Sequence, residues 1–114
     1  MVTLLSHDYE GVRWRATQAL ANHADDSFDE RLRELLKDPD DYRRGCATYI
    51  AAQRWKEKSL EDLRRLIKDE AQLVQFDAVS ALWMTELPEA RDIVREALKD
   101  TKNPYLREML NHLE

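Results

Sequence analysis

Apolar residues recur along this chain at steps of three and four, and that recurrence is itself repeated. Val12, Ala16, Ala19, Leu20 and His23 fall on one face of a helix of about four turns starting near Asp8. Phe28, Leu32, Leu35 and Leu36 give a shorter helix the same kind of stripe. The long and short pair then returns. Ala47, Ile50 and Ala51 precede Leu63, Leu66 and Ile67; Val74, Ala78, Ala81 and Leu82 precede Val94, Ala97 and Leu98. Leu106, Met109, Leu110 and Leu113 mark a further long-type helix with no short helix after it, and Leu4 and Leu5 stand in register ahead of Leu35 and Leu36. The chain therefore reads as beginning inside one unit and stopping inside another.

The register is set by a dipeptide. Lys37-Asp38, Lys68-Asp69 and Lys99-Asp100 each close an apolar helical turn, and each stands 31 residues from the next. A fixed period in this range predicts a solenoid in which every unit buries its apolar face on its neighbour. The expected fold class is all-α, an α-solenoid of about three and a half antiparallel helix pairs over a single domain, 1–114. Punctuation agrees: Pro39 and Pro88 fall at helix edges, Asn103-Pro104 opens the last helix, and the acidic pair Asp40-Asp41 suits a helix N-terminus. Ser27 to Glu30 and Ser59 to Asp62 read as capping signals, with each serine as N-cap and Glu30 reaching back to Ser27.

Composition supports this picture. Two glycines, three prolines and 36% charged residues leave long stretches of helix formers without breakers. The net charge of −5 disfavours a phosphate backbone as partner. No apolar run is long enough to span a membrane, and no secretory leader is visible, so a cytoplasmic location is expected. Cys46 is the only cysteine, so packing alone must hold the fold.

Val12-Arg13 followed by Ala16 and Leu20, then Leu35-Leu36-Lys37-Asp38, is similar to a HEAT repeat, and the period resembles the short bacterial subtype related to phycobilisome lyases. The Val-Arg pair reappears as Tyr42 with Arg43 or Arg44, as Val74-Gln75 and as Leu106-Arg107. The resemblance implies helix pairs stacked in a right-handed superhelix, with the short helices lining a concave face. It also implies a non-enzymatic adaptor for a protein partner. An inhibitor or immunity-type protein neutralising a basic enzyme is the second expectation. A lyase or DNA glycosylase, like rarer family members, is the third.

Candidate binding residues follow from helical geometry. On the short helices, positions 30, 33, 34 and 37 and their counterparts face away from the apolar stripe. Arg33, Arg64 and Arg95, Lys37, Lys68 and Lys99, together with Arg65, thus form a cationic ladder with acids three residues before each arginine. Such charges suit an isolated helix, and they also suit a charged protein partner. On the long helices Trp14, Phe76 and Trp83 lie away from the apolar arc, with Tyr49 close by. Gly45 falls between Trp14 and Phe76 in the repeat column, which predicts that the two rings fold over the space it leaves. Trp55 is expected in a loop, sealing the end of a helix pair, with Arg54, Lys56 and Lys58 around it.

Catalytic chemistry is not expected. His7, His23 and His112 sit in different units, and no metal ligand set, cofactor loop or nucleophile motif is present. Cys46 reads as a small core residue whose thiol Arg43 and Arg44 could activate slightly. Because Leu106, Leu110 and Leu113 lack a following helix, self-association through the terminal repeats, or a longer native chain, is a further expectation.

Overall fold

The computed structural model describes residues 2–23, 25–99 and 101–113. Expectations resting on Ala24, on Asp100, and on the side chains of His23, Leu110, His112 and Leu113 fall outside the described residues. A 3-10 turn, Val2–Ser6, leads into α1 (Glu10–His23), α2 (Phe28–Leu35) and α3 (Asp41–Trp55). A second 3-10 turn, Lys56–Ser59, joins α3 to α4 (Leu60–Leu66), followed by α5 (Gln72–Met84), α6 (Pro88–Leu98) and α7 (Pro104–Leu113). No strand occurs among the described residues. The odd-numbered helices pack in sequence, α1 on α3, α3 on α5 and α5 on α7, while α4 lies against α3 and α5, and α6 against α5 and α7.

The short helices bury the stripe that their spacing predicts. Leu32, Leu35, Leu63 and Val94 are all fully buried, and Leu66 and Leu98 are nearly so. One cluster gathers Leu5, Leu20, Leu32, Leu35 and Ile50, and a second gathers Leu63, Val79, Leu82, Val94 and Leu106. Ile67 packs against both and joins them.

The turns explain the repeated aspartate. Asp38 Oδ1 accepts the Asp40 N–H at 2.8 Å, and Asp69 Oδ1 accepts the Ala71 N–H at 2.8 Å. His7 occupies the corresponding place one unit earlier, where its Nδ1 accepts the Tyr9 N–H at 3.0 Å. Each of these is a local side-chain turn that reverses the chain before a long helix. Six residues on, a second bond locks each turn. Arg13 Nη1 donates to the His7 carbonyl at 2.8 Å, Arg44 Nη1 to the Asp38 carbonyl at 2.7 Å, and Gln75 Nε2 to the Asp69 carbonyl at 2.5 Å. Of the two arginines in the second unit, Arg44 therefore takes the part of Arg13.

The capping expectation holds at Asp40, which accepts the Arg43 N–H at 2.9 Å, but not at the serines. Ser27 has helical backbone angles, φ −64° and ψ −20°, and makes no side-chain cap. Helical turning has already begun there, because the Phe28 and Asp29 N–H groups donate to the Asp25 and Asp26 carbonyls. The Ser27 hydroxyl bonds the Asp25 carboxylate instead. Ser59 ends a 3-10 turn, fully buried, with its hydroxyl donating to the Lys56 carbonyl at 2.6 Å. In both places the preceding backbone supplies what a capping side chain would have supplied.

Trp55 is the last residue of α3 rather than part of a loop. Its Nε1 donates to Asp29 Oδ1 at 3.2 Å, and the neighbouring Arg54 bonds Asp29 and the Asp25 carbonyl. These contacts tie the end of α3 to the start of α2.

Candidate functional site

The cations on the short helices are exposed as expected: Arg33, Lys37, Arg64, Arg65, Lys68, Arg95 and Lys99 all reach solvent. Their partners differ. Arg65 pairs with Asp62 at 3.5 Å, Arg95 with Asp92 at 3.3 Å and Lys99 with Glu96 at 3.3 Å, each one turn away on the same helix. Exposed pairs of this kind are worth a few tenths of a kcal/mol and serve their own helix. Arg33 rests over the Trp55 ring, 5.5 Å from its centroid. Among the described residues, Lys37, Arg64 and Lys68 form no ion pair within 4.0 Å.

Arg64 and Lys68 line one side of an open groove of about 680 Å³ between α4 and α6. Glu89, Asp92 and Glu96 line the other side, and Ile67, Ile93 and Ala97 supply apolar surface between them. The α4 wall is therefore basic and the α6 wall acidic, and one face of a bound segment would meet both signs of charge across an apolar strip.

Of the aromatic residues expected together on the long helices, Trp83 stands apart from the others. Trp83 lies under the Arg91 guanidinium, 4.0 Å from the ring centroid, at the seam of α5 and α6. Trp14 is 42% exposed and meets Tyr49 edge to face at 5.4 Å, while Phe76 pairs with Tyr105 at 6.0 Å. Neither ring covers Gly45. Its vacant side is filled by the Asp77 carboxylate, which a Cβ at position 45 would strike. Asp77 Oδ1 accepts the Tyr49 hydroxyl at 3.0 Å. Burial pushes the Asp77 carboxyl up to about 6, against the opposing effects of the Tyr49 bond and the Arg13 charge. Burial also pushes the Tyr49 phenol up.

Asp77 lies at the side of a cleft of about 150 Å³ bounded by α1, α3 and α5, whose lining includes Trp14, Tyr42, Tyr49 and Phe76. Arg13 also reaches it, but its guanidinium lies over the Tyr42 ring at 4.0 Å and donates to the His7 and Asp8 carbonyls. Sequence reasoning passed over Asp77. A signal was available, since it is the only charged residue between Glu70 and Glu86, on an otherwise uncharged helix.

Cys46 is buried, and its Sγ lies 3.7 Å from the Leu5 carbonyl. Burial pushes its thiol up, so the expected activation by Arg43 and Arg44 is absent; Arg44 is turned towards Asp69. Among the described residues no three metal-binding side chains come together, and no helix is long and apolar enough to cross a membrane.

Neither the curated proteins nor the solved structures yield a match to the chain. A family model does: the one described as HEAT repeats covers residues 41–112, well over half of the sequence and all of α3 to α6. With helices throughout and the same turn bonds recurring before α1, α3 and α5, the chain belongs to the HEAT-repeat family.

Proposed function

We propose that this protein is a non-enzymatic HEAT-like adaptor that binds a protein partner in the groove between α4 and α6, on what would be the concave side of a right-handed solenoid of period 31 in the cytoplasm. HEAT repeats generally mediate protein–protein interaction, which supports the class of partner. The observation that carries the choice of surface is the contrast among the cations. Arg65, Arg95 and Lys99 are engaged on their own helices, whereas Arg64 and Lys68 face the acids of α6 across an apolar strip without pairing. Unpaired cations beside an apolar strip are available to a partner segment that carries acids next to an apolar stripe, and they set its orientation as well as its approach rate.

The test is a comparison of two charge reversals. Affinity capture with the unaltered protein identifies a partner; Arg64→Glu with Lys68→Glu should then weaken it by about tenfold or more, because central interface residues carry most of the binding energy. Lys102→Glu with Arg107→Glu, the same charge change at exposed residues outside the groove lining, should leave it nearly unchanged. Circular dichroism should show equal helix content in both variants. Equal binding by the two variants would remove the α4–α6 groove as the binding surface.

A further inference from the structure

The cleft between α1, α3 and α5 has a carboxylate in its lining, Asp77, whose Oδ2 packs beside Gly45 and which no ion pair among the described residues neutralises. Asp77 sits on the middle of α5 with Tyr49 as its hydrogen-bond donor, and among the described residues no cation lies within 4.0 Å of it. A half-buried carboxylate with a single neutral donor is costly unless something positive joins it. Arg13 is near enough to be felt but is tied by its two carbonyl bonds and its place over Tyr42. The groups facing Asp77 are Glu10 and Arg13 from α1 and Cys46 and Tyr49 from α3, so the charged members leave the cleft with one net negative charge.

The other feature is aromatic. Trp14, Tyr42, Tyr49 and Phe76 come to this cleft from three helices, with Trp14 and Tyr42 exposed at 42% and 37%. Aromatic rings beside a carboxylate suit a compact organic cation, since a ring's quadrupole and the anion both attract positive charge. An anion would be repelled by Asp77 and Glu10. An inorganic cation would find too few oxygen ligands. A neutral apolar group would leave the carboxylate without a partner. The volume of about 150 Å³ has room for a head group and little more.

We propose that this cleft binds an organic ammonium group, with its charge against Asp77 and its alkyl substituents against the Trp14, Tyr49 and Phe76 rings. The ammonium could be free, as in a small quaternary amine, or borne on a methylated lysine side chain of a protein. This site is separate from the α4–α6 groove, and either can stand without the other.

The experiment is a nitrogen-15 NMR titration followed at the Trp14 indole N–H, assigned by comparison with Trp14→Phe. Tetramethylammonium chloride is the first probe, with sodium chloride at equal ionic strength as control. A saturable shift at Trp14 is expected at pH 8, with the Trp83 indole unmoved. At pH 5 binding should be about tenfold weaker, as Asp77 takes up its proton. Asp77→Asn, which keeps shape and hydrogen bonding, should weaken it by about tenfold at pH 8. Acetylated trimethyl-lysine amide separates the sources: much tighter binding than tetramethylammonium indicates a protein-borne group, and equal binding a free amine. If Asp77→Asn fails to fold, Trp14→Leu, read at the Gly45 amide, should show the same weakening. No saturable shift at pH 8, an equal shift with sodium chloride, or full affinity in either variant would overturn the proposal.

Discussion

Arg44 closes on Asp69 with two parallel hydrogen bonds, Nε to Oδ2 at 2.8 Å and Nη2 to Oδ1 at 2.9 Å. The same guanidinium donates to the Asp38 carbonyl and pairs with Asp41 at 2.9 Å. One side chain thus fastens the turn before α3 to the turn before α5. Both partners are about one-tenth exposed, so their charges have left most of their water, and each depends on the other. The planar fork of arginine fits this task, because it reaches a carboxylate and a carbonyl without bending either turn.

Removing one member should therefore cost more than a surface pair would. Arg44→Ala is expected to lower stability by about 3 kcal/mol, since Asp69 is left buried without its partner. Arg44→Lys should restore little of it, because an ammonium cannot make the two parallel bonds. Burial alone would raise the Asp69 carboxyl, but Arg44 and the Ala71 N–H hold it below its ordinary value of 3.8. The contribution is then fully present above about pH 4 and is lost as the pH falls through the lowered value. Urea melts at pH 7 and pH 3 check this; a loss below about 1 kcal/mol for Arg44→Ala at pH 7 would show the pair to be incidental.

Asp77 should give the opposite pH dependence. Its carboxyl is raised from 3.8 to about 6, so the folded state favours the protonated form. Stability from this group is fully present below pH 4 and declines as the pH rises through about 6. At about 1.4 kcal/mol per pH unit, the decline amounts to roughly 1 to 3 kcal/mol. Asp77→Asn should therefore match the unaltered protein at pH 4 and be the more stable at pH 8, by that amount. Thermal melts of both proteins from pH 4 to pH 8 read the difference directly; parallel curves would mean that Asp77 titrates normally.

How much was legible in the sequence depended on how local the cause was. Leu32, Leu63 and Val94 were legible because burial follows the helical period, and the Lys-Asp punctuation because one aspartate and the N–H two residues on suffice to make the turn. Ser27 and Ser59 misled because a capping signal does not reveal whether the chain is already turning before it. The arrangement at Gly45 was out of reach for another reason. It depends on which side chain of α5 meets α3, and the repeat column pointed to Phe76 whereas the contact falls one residue on, at Asp77. The exposure of the short-helix cations was readable; which of them would be taken by their own helix was not, since Asp62 rather than Glu61 pairs with its arginine.

Core and surface substitutions on α4 and the turn after it should separate cleanly. Leu66 is 3% exposed, so Leu66→Ala should cost about 2 to 5 kcal/mol, the usual range for a deleted leucine that the surroundings cannot close over. Arg64→Glu and Lys68→Glu touch exposed side chains without ion pairs and should each change stability by less than about 1 kcal/mol. Chemical denaturation of the three variants measures this, and a Leu66→Ala cost within the range of the surface changes would mean that α4 contributes little to the core.

The last prediction concerns why a glycine stands in the middle of α3. Glycine inside a helix is less stable than alanine by about 1 kcal/mol, so position 45 carries a local penalty. The Asp77 carboxylate supplies the reason: a Cβ there would strike Oδ2 and lie 3.1 Å from Cγ, and Oδ2 can swing aside only by disturbing the bond from Tyr49. Gly45→Ala should accordingly destabilise the protein by about 1 to 2 kcal/mol through overpacking. In an Asp77→Ala background the same change should become neutral or stabilising by up to about 1 kcal/mol, because helix preference is all that remains. The loss of the Tyr49 acceptor is common to both proteins of the Asp77→Ala pair, so it cancels when those two are compared. A reversal of sign between the two backgrounds identifies the carboxylate as what holds the glycine in place, and an equal cost in both would assign the constraint to the α3 backbone instead.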